Sequence, residues 1–138
     1  MFGKKSQPPI KSLIAQGTRI EGNVKFSEGL RVDGEVYGDI QTAVQDAGSL
    51  LVISEASVVQ GAVQADHVII NGTVRGPVHA RELLELQPKA RIEGDVSYVS
   101  LEMHQGATIS GQLKPLVASA AGVGDEEKPL LKLASKSA

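Results

Sequence analysis

Three histidines are the first residues to weigh for chemistry, because an imidazole is the commonest general base near neutral pH. They are His67, His79 and His104. By strand parity His79 shares a face with Arg75 and Pro77, opposite Val74 and Val78. His67 is out of phase with Val68 and Ile70, and His104 adjoins the inward Met103, so all three are expected to face solvent. A hexapeptide-type acyltransferase would use such a histidine as its base, but the apolar hexad of that class is absent. Asp33, Glu35 and Asp39 share one parity; alternating outward acids are what a solvated strand face looks like. The segment from Gly34 to Gly38 lacks the Lys-Ser/Thr pair that a phosphate-cradling loop needs. With no cysteine, disulfides and thiolate metal sites are excluded. Nothing reads as catalytic, and no cofactor or metal is implied.

The elements that would carry these residues come from an internal repeat. The stretch from Gly17 to Val24 (GTRIEGNV) recurs as Ala56–Val63 (ASVVQGAV), Lys89–Val96 (KARIEGDV) and Gly106–Leu113 (GATISGQL). A second form, Val32–Ile40 (VDGEVYGDI), matches Ile70–Val78 (INGTVRGPV). From Gly22 to Gly111 there are 89 residues, or about 18 for each of five intervals, a plausible coil for a solenoid. Within each copy the period is two: Val32, Gly34, Val36, Gly38 and Ile40 share one face, and Arg31, Asp33, Glu35, Tyr37 and Asp39 the other. Strict alternation predicts strands with one buried face. Leu83–Leu86 is apolar at three of four positions, so pattern alone leaves helix or strand open there, but no segment sustains a 3.6 period. Inward glycines weaken an ordinary strand, whereas in a narrow coil they relieve crowding at a corner. A sandwich would want hairpin signals, and its one candidate, Asn71-Gly72, lies inside an alternating stretch. The prediction is an all-β chain forming a single parallel β-helix. Glycine pairs four apart, in place of an apolar residue every six, favour a right-handed coil.

The chain has 138 residues, 14 Lys+Arg against 16 Asp+Glu, 15 Gly, no Trp, two Phe and two Tyr. The near-balance of charge argues against a nucleic-acid binder. Its distribution is uneven: residues 1–13 carry three Lys and no acid, 14–113 carry seven basic and thirteen acidic residues, and 114–138 carry four Lys and three acids. We therefore expect a basic, flexible tail over 1–13, a β-helix over 14–114 and a disordered tail over 115–138. No apolar run approaches the ~20 residues of a membrane span, and no h-region follows Lys4, Lys5 and Lys11, so a cytoplasmic protein is expected.

The I-x-G-x-V copies, the paired V-x-G-x-V-x-G-x-I stretches, the tails and the opening Met1-Phe2-Gly3-Lys4 resemble the bactofilins, bacterial polymer-forming cytoskeletal proteins. The resemblance covers about residues 14–114 and the first few residues. It implies a right-handed β-helix of about six turns that assembles end to end, without nucleotide, into non-polar filaments. It further implies a place at the cytoplasmic face of the inner membrane, and roles in cell shape through cell-wall synthesis or hydrolysis proteins. A short Met-Phe-x-Lys-like segment is associated with membrane contact in that family, and Met1, Phe2, Lys4 and Lys5 fit it.

Assembly also follows from the fold itself. A solenoid has two open ends, and an uncovered strand edge recruits another chain. No capping helix is legible before Leu13 or after Leu113, so the end-rung candidates are Ile14, Ile20 and Val24 at one end and Ile109 and Leu113 at the other. The rival non-enzyme reading is a non-polymerising β-helix scaffold that docks a partner protein. It would use apolar positions such as Leu51, Ile53, Ile69 and Leu83, or the tail peptide Leu130-Leu131-Lys132-Leu133.

Overall fold

The computed structural model describes residues 10–42 and 48–116, and every element among them is a β-strand. The strands form three ladders of parallel pairs, visited in order once per turn, six times over. The first ladder holds β1 (Ser12–Ile14), β4 (Gly29–Val32), β7 (Leu50–Ile53), the second half of β9 (Val63–Ile70), the second half of β11 (Val78–Leu86) and β14 (Ser100–Met103). The second holds β2 (Arg19–Glu21), β5 (Glu35–Tyr37), β8 (Val58–Gln60), β10 (Thr73–Arg75), β12 (Arg91–Glu93) and β15 (Thr108–Ser110). The third holds β3 (Val24–Phe26), β6 (Ile40–Thr42), the first halves of β9 and β11, β13 (Val96–Tyr98) and β16 (Leu113–Pro115). This is a parallel β-solenoid of six turns. Leu83–Leu86 is strand, the last part of β11.

The repeat marks one corner of the coil. In every turn an inward residue of the second ladder, a glycine and an inward residue of the third lie two apart: Ile20-Gly22-Val24, Val36-Gly38-Ile40, Val59-Gly61-Val63, Val74-Gly76-Val78, Ile92-Gly94-Val96 and Ile109-Gly111-Leu113. The glycines stack. A Cβ on Gly61 would lie well inside 3.0 Å of the Gly38 carbonyl oxygen, and Gly76, Gly94 and Gly111 each meet the preceding glycine in the same way. No side chain fits where successive backbones approach this closely. The V-x-G-x-V-x-G-x-I stretch is thus three short strands wrapped round two corners rather than one long strand.

The core is a stack of aliphatic rows. Val36, Val59, Val74 and Ile92 form one, Ile40, Val63, Val78 and Val96 a second, and Val32, Ile53, Ile70 and Leu86 a third, each residue 1% exposed or less. β-branched side chains suit such rows because their stiff χ1 angles stack without losing much rotamer freedom. The corners are stapled by short polar side chains. Asn23 Oδ1 accepts from the Asp39 N–H, Asp39 Oδ1 from the Ala62 N–H and Asn71 Oδ1 from the Lys89 N–H, each at 2.9 Å.

Candidate functional site

A continuous core must stop at each end of the coil, and the end rows show where. In turns two to five every inward aliphatic of the three ladders is 2% exposed or less. At the first turn Ile14 is 7% exposed, while Ile20 and Val24 are half-buried. At the sixth, Leu101 and Ile109 are half-buried, and Met103 and Leu113 are 45% and 46% exposed. The structure thus brings Ile14, Ile20 and Val24 together on one end turn and Ile109 and Leu113 on the other. Leu101, and Met103, which the sequence placed facing inward but not among the end-rung candidates, join the second set. Met103 is in register with Leu86, and Leu101 with Leu84. Extending the Ile53, Ile70, Leu86 row by one turn would have found Met103.

Among the described residues the backbone is open at the same places. The glycine corner runs as a ladder of its own: the N–H of Gly76 donates to Glu93 O and that of Gly94 to Ser110 O, both at 2.9 Å. The equivalent Gly111 has no further turn to meet among the described residues. No described element covers either end. The last turn is pinned to the fifth by Asp95, whose Oδ1 accepts from the Gln112 N–H at 2.9 Å and whose Oδ2 lies 3.2 Å from Lys114 Nζ. The Gln112 hydrogen bond, then the Lys114 ammonium, hold the Asp95 carboxyl below its usual range. At the other end Lys11 lies 3.0 Å from Glu28.

Two histidines depart from the expectation of free exposure. His67 points outward between Leu50 and Leu83, which cover it, so it is half-buried with Nδ1 enclosed and Nε2 3.1 Å from Glu82. His79 is half-buried, and His104 is exposed. Nor do the three acids share a face. Asp33 and Asp39 occupy corners on either side of β5, which carries Glu35, so the coil points them in different directions. Ser54 and then Arg31, by hydrogen bonding, hold Asp33 below the usual carboxylate range. Leu51 and Ile53 are fully buried, which removes them as docking residues; Ile69 and Leu83 are half-buried. Met1, Phe2, Lys4, Lys5 and the Leu130–Leu133 peptide lie outside the described residues.

Two further features were not legible in sequence. A cleft of about 740 Å³ runs along the first ladder, floored by Val52 and Ile69 and edged by Arg31, Asp33, Asn71 and Gln87. At the corner between the third and first ladders, Asp66 accepts from Arg81 Nε at 2.6 Å and from the Ser49 N–H at 3.1 Å, while Ser49 Oγ accepts from the Asp66 N–H at 2.9 Å. Arg81 also donates to Thr42 Oγ1 at 3.2 Å. Burial opposes ionisation of Asp66, yet the Arg81 and Ser49 hydrogen bonds outweigh it and hold the carboxyl below its usual value. Three turns are tied together at the point where Thr42 and Ser49 flank residues 43–47.

The sequence that folds into this solenoid matches that of known proteins. The bactofilin family model, described as polymer-forming cytoskeletal, matches residues 12–114. The chain belongs to the bactofilin family. Bactofilin BacO of Myxococcus xanthus is 28% identical over 103 residues, spanning 70% of this chain and 82% of that protein. Bactofilin BacP of the same organism is 26% identical over 102 residues, spanning 74% of this chain but 40% of that longer protein. No solved structure matches the chain. As a bactofilin it is a polymer-forming cytoskeletal protein, of a structural rather than an enzymatic family. No described helix is long and apolar enough to cross a membrane.

Proposed function

We propose that this bactofilin assembles end to end into nucleotide-free, non-polar filaments, each end turn meeting the like end of another copy. The observation that carries this is the loss of cover over the inward rows at the last turn, where Met103 and Leu113 are nearly half exposed. Burying an aliphatic side chain stabilises by ~1.5–3 kcal/mol, and a two-fold contact doubles the number buried. Each end carries its own apolar set, which is what two isologous contacts require. The filament would lie on the cytoplasmic face of the inner membrane, held by Met1, Phe2, Lys4 and Lys5. Each Lys near an anionic surface contributes ~1 kcal/mol, so one tail binds weakly and many tails on one polymer bind well. The filament would in turn scaffold cell-wall synthesis or hydrolysis proteins that set cell shape.

Electron microscopy of the purified chain without nucleotide is expected to show filaments. The mass of Leu113→Glu in solution then separates the modes of assembly. Contact between like ends predicts dimers joined through the intact first turn, whereas head-to-tail stacking predicts monomers. Filaments indistinguishable from wild type would remove the last turn from the junction. Deleting residues 1–7 is expected to release the polymer from anionic vesicles in a sedimentation assay; unchanged co-sedimentation would end the membrane reading. A second reading, partner docking without polymerisation, is favoured by the cleft over Val52 and Ile69. It predicts discrete particles at every concentration.

A further inference from the structure

Glu85 and Glu102 are in register on adjacent turns of the first ladder. Elsewhere in the described ladders, charges in register are opposite, as with Arg19 beside Glu35 and Arg75 beside Glu93. Of all the paired positions among the described strands, this one alone sets two like charges side by side. Like charges directly opposite one another destabilise a sheet. A third group completes the cluster: His104, one residue past β14, brings Nε2 to 3.5 Å from Glu85 Oε2. One donor atom from each of Glu85, Glu102 and His104 lies within 4.8 Å of the other two.

We infer that Glu85, Glu102 and His104 form a site for a divalent transition cation of the zinc type, which joins the sixth turn to the fifth. One imidazole and two carboxylates suit such a cation, and three protein ligands leave a fourth position to water. Around a metal with bonds of about 2.1 Å the donor atoms stand about 3.4 Å apart. The separations here reach that by turning two exposed side chains, Glu102 and His104. The less mobile parts are already fixed. Glu85 is half-buried and accepts from Gln87 Nε2 at 3.3 Å, and the His104 N–H donates to Leu86 O at 2.8 Å. A bound cation removes the Glu85–Glu102 repulsion and holds in place the turn that carries Leu101 and Met103.

The test is calorimetric titration of zinc chloride into the full chain in a non-coordinating buffer, with hydrogen exchange read over residues 100–110. One zinc per chain is expected, reversed by a chelator. His104→Ala and Glu102→Gln should each weaken it by at least about tenfold, while His79→Ala should leave it unchanged. Both ligand positions are exposed, so circular dichroism should report an intact fold in each variant. Zinc should slow exchange over residues 100–110 in the wild type and not in His104→Ala. The site is overturned if zinc binds no tighter than millimolar, if affinity survives His104→Ala, or if magnesium binds equally well. None of these outcomes depends on whether the chain forms filaments.

Discussion

Two residues show how tightly local geometry is set. Gly61 has φ +155 and no room for a Cβ beneath the Gly38 carbonyl, while Gly22, at the equivalent corner of the first turn, has nothing within 4 Å of its hypothetical Cβ. Gly61→Ala therefore meets a steric clash as well as a disfavoured backbone, and is expected to cost more than about 2 kcal/mol. Gly22→Ala meets the backbone penalty alone, about 1–2 kcal/mol, the lower part of the range for a residue held in a sparsely populated φ region. Comparing their urea midpoints checks this, and equal losses would mean that the stack of glycines is not closely packed. Asp66 is the second case. Its carboxyl titrates below its unfolded value of about 3.9, so its contribution is complete above that pH and is lost as pH falls through the folded value. Asp66→Asn should cost about 3 kcal/mol near neutrality, as breaking a buried ion pair does. It should also flatten the fall in stability below about pH 4, the part that remains coming from Asp33 and Asp95.

At the scale of elements, stability should be graded along the coil. β9 and β11 each run through two ladders, their register shifting between Ala80 and Leu83, with neighbours above and below, and their inward aliphatics are 1% exposed or less. β14, β15 and β16 have one neighbour each. Amide exchange measured on Leu113→Glu, a change expected to leave the last turn uncovered, should be slowest in β9 and β11 and fastest in β14–β16. Uniform protection would mean that the coil opens only as a whole. The alternation that predicted these strands was correct about which residues face inward but silent about corners. Gly34 and Gly38 take inward positions as the chain bends, so period two continues from Val32 to Ile40 through two changes of direction. That is why Asp33, Glu35 and Asp39 read as one face and are not. Contacts between turns were hidden for a different reason. From Ile20 to the residue stacked on it, Val36, is 16 residues, but from Val36 to Val59 is 23. With turn length varying, no fixed offset could pair Asp66 with Arg81 or Glu85 with Glu102. Ile14, Ile20, Val24, Ile109 and Leu113 could be placed on the end turns because that depends only on where the repeat starts and stops, whereas Leu101 and Met103 lie outside the repeated motif.

The whole molecule offers two kinds of surface for association, and salt should separate them. The ends present Ile20, Val24, Met103, Ile109 and Leu113, whose burial is an apolar effect that added salt barely weakens. The flanks are different. Residues 14–113 hold thirteen acids against seven bases, so filaments lying side by side repel one another. The Debye length falls from about 30 Å at 0.01 M salt to about 10 Å at 0.1 M and about 3 Å at 1 M. Filaments at the lowest salt should therefore run singly and retain their length as salt rises, while lateral bundles appear as the flanks are screened. Electron microscopy across that series, with light scattering to follow bundling, reads the two responses separately. Filaments that shorten with salt would show that charged contacts, not the bare rows, hold the junction. Reversing acids away from both end turns tests the other half: Glu55→Lys sits on the third turn and Glu82→Lys where the fourth meets the fifth, and both leave Met103 and Leu113 untouched. The double variant should bundle at lower salt than wild type with no change in filament length.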